Sequence, residues 1–286
     1  MSWRALCLAA LLGWAGTAFA ASLSDDRGVE INLAQPPQRI VSLLPSLTET
    51  VCALQACDRL VGVDTFSNWP ASVQSLPHLG GLEDANVEAI VALKPDLVLL
   101  AKSARVTPRL EALGLRVMAL EPKSMKDVER VLGKLGQALG REAQAQALWR
   151  QLDTGVDRVA ATLPAGARGK RVYFEVNNGP YAAGEASFIG ETLLRLGAKN
   201  IVPAALGPFP KLNPEFVVRA DPQLIMVGDR NASALSGRPG WQAIEAVRTN
   251  RVCVFSAAEG DVLVRPGPRM VEAAQIMANC LKDRFK

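Results

Sequence analysis

Residues 86–100, NVEAIVALKPDLVLL, return in the second half of the chain as residues 213–227, NPEFVVRADPQLIMV. Asn86, Glu88, Val91, Pro95 and Leu97 find counterparts in Asn213, Glu215, Val218, Pro222 and Leu224. A helix-sized run, a Pro-bearing break and an apolar strand therefore recur in one order with one spacing. A chain built on such an echo is expected to fold as two similar lobes, each with one Glu in the first turn of a helix. Asn86 and Asn213 suit the helix caps, and Pro214 suits a first helical position. An acid in that turn gains roughly 0.3–1 kcal/mol from the helix dipole, which accounts for either Glu without further function.

Around the echo, strand-like and helix-like runs alternate. Residues 39–44, RIVSLL, read as a strand ended by Pro45, and residues 46–49, SLTE, as a capping box that opens a helix. A strand over 58–63, a helix over 87–93, a strand over 97–100, a helix over 105–113 and a strand over 116–120 follow. Ser124 and Asp127 then cap a helix running to about residue 139. Residues 141–163 continue without Pro at a helical apolar period, long enough to cross roughly 30 Å, and Gly155 marks a bend.

The second half repeats the plan. A strand over 171–174, a turn-rich loop over 177–184, a helix over 188–196 and a loop over 203–210 lead into the echo. After it come a turn over 228–240, a helix over 241–247, a strand over 251–256, a polar loop through Glu259, Asp261 and Arg265, and a last helix over 268–282. The alternation implies α/β lobes with largely parallel sheets, over 38–140 and 168–286, joined by the single long helix at 141–163. Residues 22–28 are expected to be flexible, with order beginning near Arg39.

Residues 1–20 carry Arg4, an apolar run over 5–16 and Ala18-Phe19-Ala20, the pattern of a secretory signal peptide cleaved after Ala20. The apolar run is too short to span a bilayer, and Cys7 lies too early in it to take a lipid anchor. A soluble exported protein is the expectation. Lys and Arg number 32 against 28 Asp and Glu, a balance without a basic run that argues against a nucleic-acid partner. Beyond the leader stand Cys52, Cys57, Cys253 and Cys280, in a compartment that permits disulfides. Three pairings are possible. Cys52–Cys57 and Cys253–Cys280 are favoured because each pair falls within one lobe, the alternative being four small buried thiols.

The chain is poor in catalytic constellations. His78, in a Pro-flanked loop, is the only histidine and reads as a surface residue; a nucleophile–His arrangement has only that one possible base, and a cage of several imidazoles is not available. No phosphate-binding glycine motif follows the first strand of either half. No catalysis, metal site or cofactor is expected, although a two-lobed enzyme remains the alternative from another class. Two facing α/β lobes instead form a groove beyond the carboxyl ends of their strands. Phe66, Asn68 and Trp69 from the first lobe, and Tyr181, Phe209, Asp261 and Arg265 from the second, are the candidate ligand-binding residues. Aromatic rings there offer large, rigid contact area to a bulky ligand.

RIVSLLPSLTETVCAL, DRLVGVD, NVEAIVALKPDLVLL, LGLRVMAL, LGAKNIV and NPEFVVRADPQLIMV resemble the periplasmic substrate-binding proteins of ATP-driven importers for cobalamin, haem and ferric siderophores, over residues 39–281. The resemblance implies two Rossmann-like lobes, a single connecting helix and little hinge motion. It implies a small-molecule ligand as one partner and a transmembrane permease as the other, the permease meeting Glu88 and Glu215 through arginines. It is closest to the cobalamin-binding members, whose cleft aromatics match Phe66 and Phe209, each shortly followed by Pro, and whose cleft acid matches Glu259 or Asp261. Two family tryptophans fall near Leu82 and at 101–102, which are not aromatic here. Cys280 matches a family disulfide cysteine whose usual partner position is 196–197, so Cys253 replaces it. Haem or a ferric siderophore is the rival ligand, with Arg105, Arg109, Arg265 and Arg269 to meet an anionic chelate and Tyr181 to ligate haem iron. A periplasmic monomer is expected.

Overall fold

The structure, a computed structural model, describes residues 21–81, 83–177, 179–235 and 237–285. The leader expected over 1–20 and the family position at Leu82 lie outside the described residues. A hairpin of β1 (Ala21–Ser24) and β2 (Glu30–Leu33) comes first. The first lobe follows with β3 (Ile40–Ser42), α1 (Pro45–Ala53), β4 (Leu60–Val63), α2 (Val87–Ala92), β5 (Leu97–Leu100), α3 (Thr107–Ala112) and β6 (Val117–Ala119). Its sheet is parallel throughout, in the order β4-β3-β5-β6. Two helices, α4 (Met125–Leu139) and α5 (Glu142–Ala161), lead to the second lobe.

That lobe holds β7 (Arg171–Asn177), β8 (Tyr181–Ala182), α6 (Phe188–Arg195), β9 (Lys199–Asn200), α7 (Pro214–Ala220), β10 (Leu224–Gly228), α8 (Asp229–Leu235), α9 (Glu245–Arg248), β11 (Val252–Phe255), α10 (Ala257–Val264) and α11 (Met270–Arg284). The order is β11-β10-β7-β8, with β9 also on β7, and β8 alone runs antiparallel. The fold is two α/β lobes with largely parallel sheets, as the sequence implied.

The echo is the same device in both lobes. α2 and α7 are capped by Asn86 and Asn213, whose Oδ1 atoms accept N–H bonds from Ala89 at 2.9 Å and Glu215 at 3.0 Å. Lys94 and Asp221, at equivalent positions, turn the chain through the left-handed region at φ 47° and 43° just before each Pro. Orphaned carbonyls at the two helix ends are then claimed by an arginine opening the lobe's first strand. Arg39 donates to the carbonyls of Leu93 and Lys94, and Arg171 to that of Asp221. Each echo strand, β5 or β10, pairs directly with that first strand.

α4 and α5 belong to both cores. Val131, Leu135 and Ala138 of α4 and Ala145 of α5 are buried in the first lobe, whereas Val128 and Leu132 of α4 and Leu152, Val156 and Val159 of α5 are buried in the second. At about 1.5 Å per residue, the 20 residues of α5 span about 30 Å. The helix does not break at Gly155. A Cβ there would stand 2.5 Å from Cγ2 of Val271, so the glycine lets α11 approach rather than bending α5. The disulfides Cys52–Cys57 and Cys253–Cys280 are both formed. Closing the longer loop, over a separation of 27 residues, removes about 3.5 kcal/mol of unfolded-chain entropy on the loop-closure formula.

Three expectations are overturned. Residues 22–28 are ordered: Leu23, Ile31 and Leu33 are buried in the first core, and Asp25 anchors the turn. Burial pushes the Asp25 carboxyl up, but the Arg27 guanidinium and the N–H groups of Ala119, Val29 and Arg27 outweigh it and hold it below the usual range. Residues 228–240 and the polar loop after β11 contain helices, α8 and α10, the second opened by a capping box of Ser256 and Glu259. Finally, 46–49 is not a capping box. α1 starts at Pro45 with no side-chain cap, and Glu49 is spent elsewhere.

Glu49 is spent on the seam between lobes. Its Oε1 accepts from Nη1 of Arg265 at 2.9 Å and Nη2 of Arg269 at 2.7 Å, and its Oε2 accepts from Nε of Arg269 at 2.9 Å. The three side chains are 1%, 8% and 11% exposed. Between the arginines, Gly267 faces α1, where an added Cβ would stand in ordinary contact, 3.5 Å from Ser46 O and Thr50 Oγ1. Glu49→Gln leaves two buried guanidiniums facing a neutral group, and breaking such a pair costs about 3–5 kcal/mol. Denaturant unfolding is expected to show that loss, with a larger radius of gyration in X-ray scattering; an unchanged midpoint and radius would remove the seam from the account.

Candidate functional site

Both sheets present their carboxyl ends to a cleft between the lobes. Its volume is about 580 Å³. The first lobe supplies Thr65, Phe66 and Asn68, from the loop that leaves β4. The second supplies the end of β7 from Phe174 to Asn177, Gly228 at the end of β10 with Asp229, Arg230 and Asn231 at the start of α8, and Phe255 with much of α10 after β11. A smaller, apolar pocket of about 290 Å³ lies beside it, lined by Leu43, Pro45 and Gly81. Phe66, 64% exposed, lines both and stands between them.

The Phe66 loop is held from beneath. Buried Asp64 accepts the backbone N–H of Phe66 at 2.9 Å and the Ser67 hydroxyl at 2.5 Å, and Ser67 in turn meets the Thr48 hydroxyl of α1 at 2.8 Å. Burial raises the Asp64 carboxyl above its ordinary range, although those hydrogen bonds and the Arg265 charge pull the other way. The ring at Phe66 is thus free while its backbone is fixed.

Asn68, Asp261 and Arg265 meet across the cleft. The Asn68 amide donates to Asp261 Oδ2 at 2.8 Å and accepts from Arg265 Nη1 at 2.7 Å. Arg265 also donates to the Phe66 carbonyl at 3.0 Å and pairs with Asp261 at 2.7 Å. It lines the cleft but is only 7% exposed, so its charge is already engaged. Trp69 lies outside the lining, with its ring centre 5.1 Å from the Arg269 guanidinium.

Tyr181 and Phe209 are not brought to this cleft. Tyr181 sits on β8 opposite Asn177, at the sheet's edge and 39% exposed. Phe209 is half-buried with its ring edge against Phe188, centroids 5.9 Å apart. The four arginines considered for an anionic chelate are also dispersed: Arg265 and Arg269 serve the seam, Arg109 binds Glu88, and Arg105 is an exposed residue outside the lining. His78 is exposed, its Nδ1 3.3 Å from the Asp64 carbonyl.

The sequence reading passed over Glu175, Arg238, Asp229, Arg230 and Asn231. Glu175 lines the cleft floor with a side chain 0% exposed, bound by Arg238 at 2.5 and 2.8 Å and by the Tyr173 hydroxyl at 3.0 Å. Burial and the Glu175 charge push the Tyr173 hydroxyl far up, so it stays a proton donor. An acid inside the apolar strand RVYFEVN was the available signal, because a buried carboxylate requires a partner.

Glu88 and Glu215, both in first helical turns, are 75% and 77% exposed. Glu88 meets Arg109 at 2.7 Å and Glu215 meets Arg219 at 3.9 Å. Among the described residues no helix is long and apolar enough to cross a membrane, and no group of His, Cys, Asp and Glu is disposed to hold a metal ion.

Three known proteins frame this geometry. An uncharacterized ABC transporter substrate-binding lipoprotein of Bacillus subtilis, YvrC, is 30% identical over 281 residues, 94% of this chain and 88% of the relative. A cobalamin-binding protein of Halobacterium salinarum is 30% identical over 274 residues, 91% of this chain and 73% of the relative. The crystal structure of a periplasmic haem-binding protein from Pseudomonas aeruginosa superposes with a TM-score of 0.74 at 28% identity, covering 87% of this chain and 94% of that one. The model of the periplasmic binding protein family matches residues 40–258, and this chain belongs to that family, as a substrate-binding protein of the ABC-importer type.

Proposed function

We propose that this protein, exported and cleaved after Ala20, captures cobalamin or a related corrinoid in the inter-lobe cleft and delivers it as a monomer to an inner-membrane permease, performing no chemistry itself. The observation that carries the choice of ligand is the lining. Among the described residues it holds no His, Tyr, Cys or Met side chain, and two of its carboxylates, Glu175 and Asp261, are already bound by arginines. Such a wall is poorly equipped to complete an open coordination site on iron, but it suits a macrocycle whose metal carries its own axial ligands. Asn68, Asn177 and Asn231 complement the amide groups at a corrinoid's periphery, and the exposed Phe66 ring offers a face to the macrocycle. The Halobacterium relative binds cobalamin by name.

Haem is the second reading. It draws on the haem-binding structural neighbour and on exposed Tyr181 at the sheet's edge, which would have to swing towards the cleft to reach iron. Calorimetric titration of the mature protein with cobalamin, haemin and a ferric-siderophore panel is expected to show cobalamin binding; saturation by haemin alone replaces the corrinoid reading with the second. Phe66→Ala should weaken binding five- to thirtyfold, a loss of about 1–2 kcal/mol of apolar contact. An unaltered affinity would move the ligand off that ring.

For delivery, Glu88 and Glu215 are the proposed docking residues. Their exposure leaves room for bidentate pairing with permease arginines, an attraction that weakens with salt. Glu88→Arg combined with Glu215→Arg should abolish uptake and co-purification with the permease while the ligand titration stays unchanged. Uptake at the original rate would eliminate this docking role.

A further inference from the structure

The guanidiniums around the cleft are spent within the protein, with one exception. Glu175 is held by Arg238, and Arg265 lies between Glu49 at 2.9 Å and Asp261 at 2.7 Å. The Asp229 carboxylate accepts the backbone N–H of Arg230 at 2.7 Å. The guanidinium of Arg230 lines the same cleft, is exposed, and forms no ion pair or hydrogen bond among the described residues.

Its place in the fold makes that exception matter. β10 lies between β7 and β11, so Arg230 leaves the sheet at the middle of its carboxyl edge, where open α/β sheets receive their ligands. A bulky ligand covering this wall strips water from the guanidinium, which is costly unless an anion replaces it. The planar fork of an arginine matches the paired oxygens of a phosphate or a carboxylate.

We propose that Arg230 is a specificity-determining residue that receives an anionic oxygen group of the bound macrocycle. The proposal rests on the cleft being the ligand site. Two sources offer that chemistry, the phosphodiester of a complete corrinoid and the propionate carboxylates of a haem. In the corrinoid case the protein would distinguish the complete cofactor from its nucleotide-free precursors, and Arg230 would be the residue that does so.

Four probes separate these outcomes: cyanocobalamin against dicyanocobinamide, which lacks the phosphodiester, and haemin against its dimethyl ester. The two corrinoids are both uncharged overall, so a preference between them reads the local anion. Wild-type protein is expected to prefer cyanocobalamin by about tenfold or more, and Arg230→Gln to reduce that preference to about twofold or less, Arg230→Lys falling between. Circular dichroism and the thermal midpoint establish that the variants are folded. A preference that survives Arg230→Gln overturns the inference and leaves the corrinoid reading standing. An Arg230-dependent preference confined to the haemin pair upholds the inference and removes the corrinoid. Equal affinity within both pairs, or no binding of any probe, overturns it.

Discussion

One buried carboxylate, Glu49, sets the relation between the two lobes. It comes from α1 of the first lobe and is gripped by two arginines at the boundary of α10 and α11 in the second. Apolar packing along α4 and α5 couples the same lobes but is non-directional, because burial is rewarded in proportion to area whatever the angle. The ionic seam is directional. A guanidinium–carboxylate pair with two or three hydrogen bonds tolerates little displacement, and pulling it apart inside a low-dielectric wall strands charges. Two unlike attachments, one greasy and one geometric, therefore couple the lobes that α4 and α5 join.

The seam also reaches the cleft directly. Arg265 holds the Phe66 carbonyl and the Asn68 amide, so the first lobe's cleft-facing loop is positioned by a residue of the second. Asp64, Ser67 and Thr48 hold the same loop from its own lobe. Phe66 can therefore be rigid at its backbone and unsatisfied at its ring. That combination leaves an apolar ring open to the cleft on a loop that is held in place.

Most of the scaffold was legible in the sequence because it is written in caps and breakers, which act over a few residues. Asn86, Asn213, the paired prolines and the capping box at Ser124 all behave as their local chemistry dictates. The misreadings have separate causes. α10 is rich in small and charged residues because one side faces the open cleft, so the apolar period that marks a surface helix is diluted. The SLTE segment has the form of a cap, yet Glu49 belongs to a contact more than 200 residues away, which no window on the sequence reveals. Tyr181 and Phe209 were placed in the cleft by their loops' proximity to strand ends. The antiparallel turn of β8 instead sends Tyr181 to the sheet's edge, and Phe188 absorbs Phe209.

The same sheet polarity relates the proposed docking residues to the cleft. A helix that returns the chain between parallel strands runs against them, so its first turn lies at the edge where the strands end. α2 and α7 each precede a parallel strand, β5 and β10, through a short break at Pro95 or Pro222. Their amino-terminal turns, with Glu88 and Glu215, therefore lie on the edge that bears the cleft. A partner gripping both carboxylates would straddle the mouth rather than the back of the molecule. The echo in the sequence is then more than a relic of duplication: capping fixes each carboxylate at a helix start, and the topology turns both helix starts towards the side that bears the cleft.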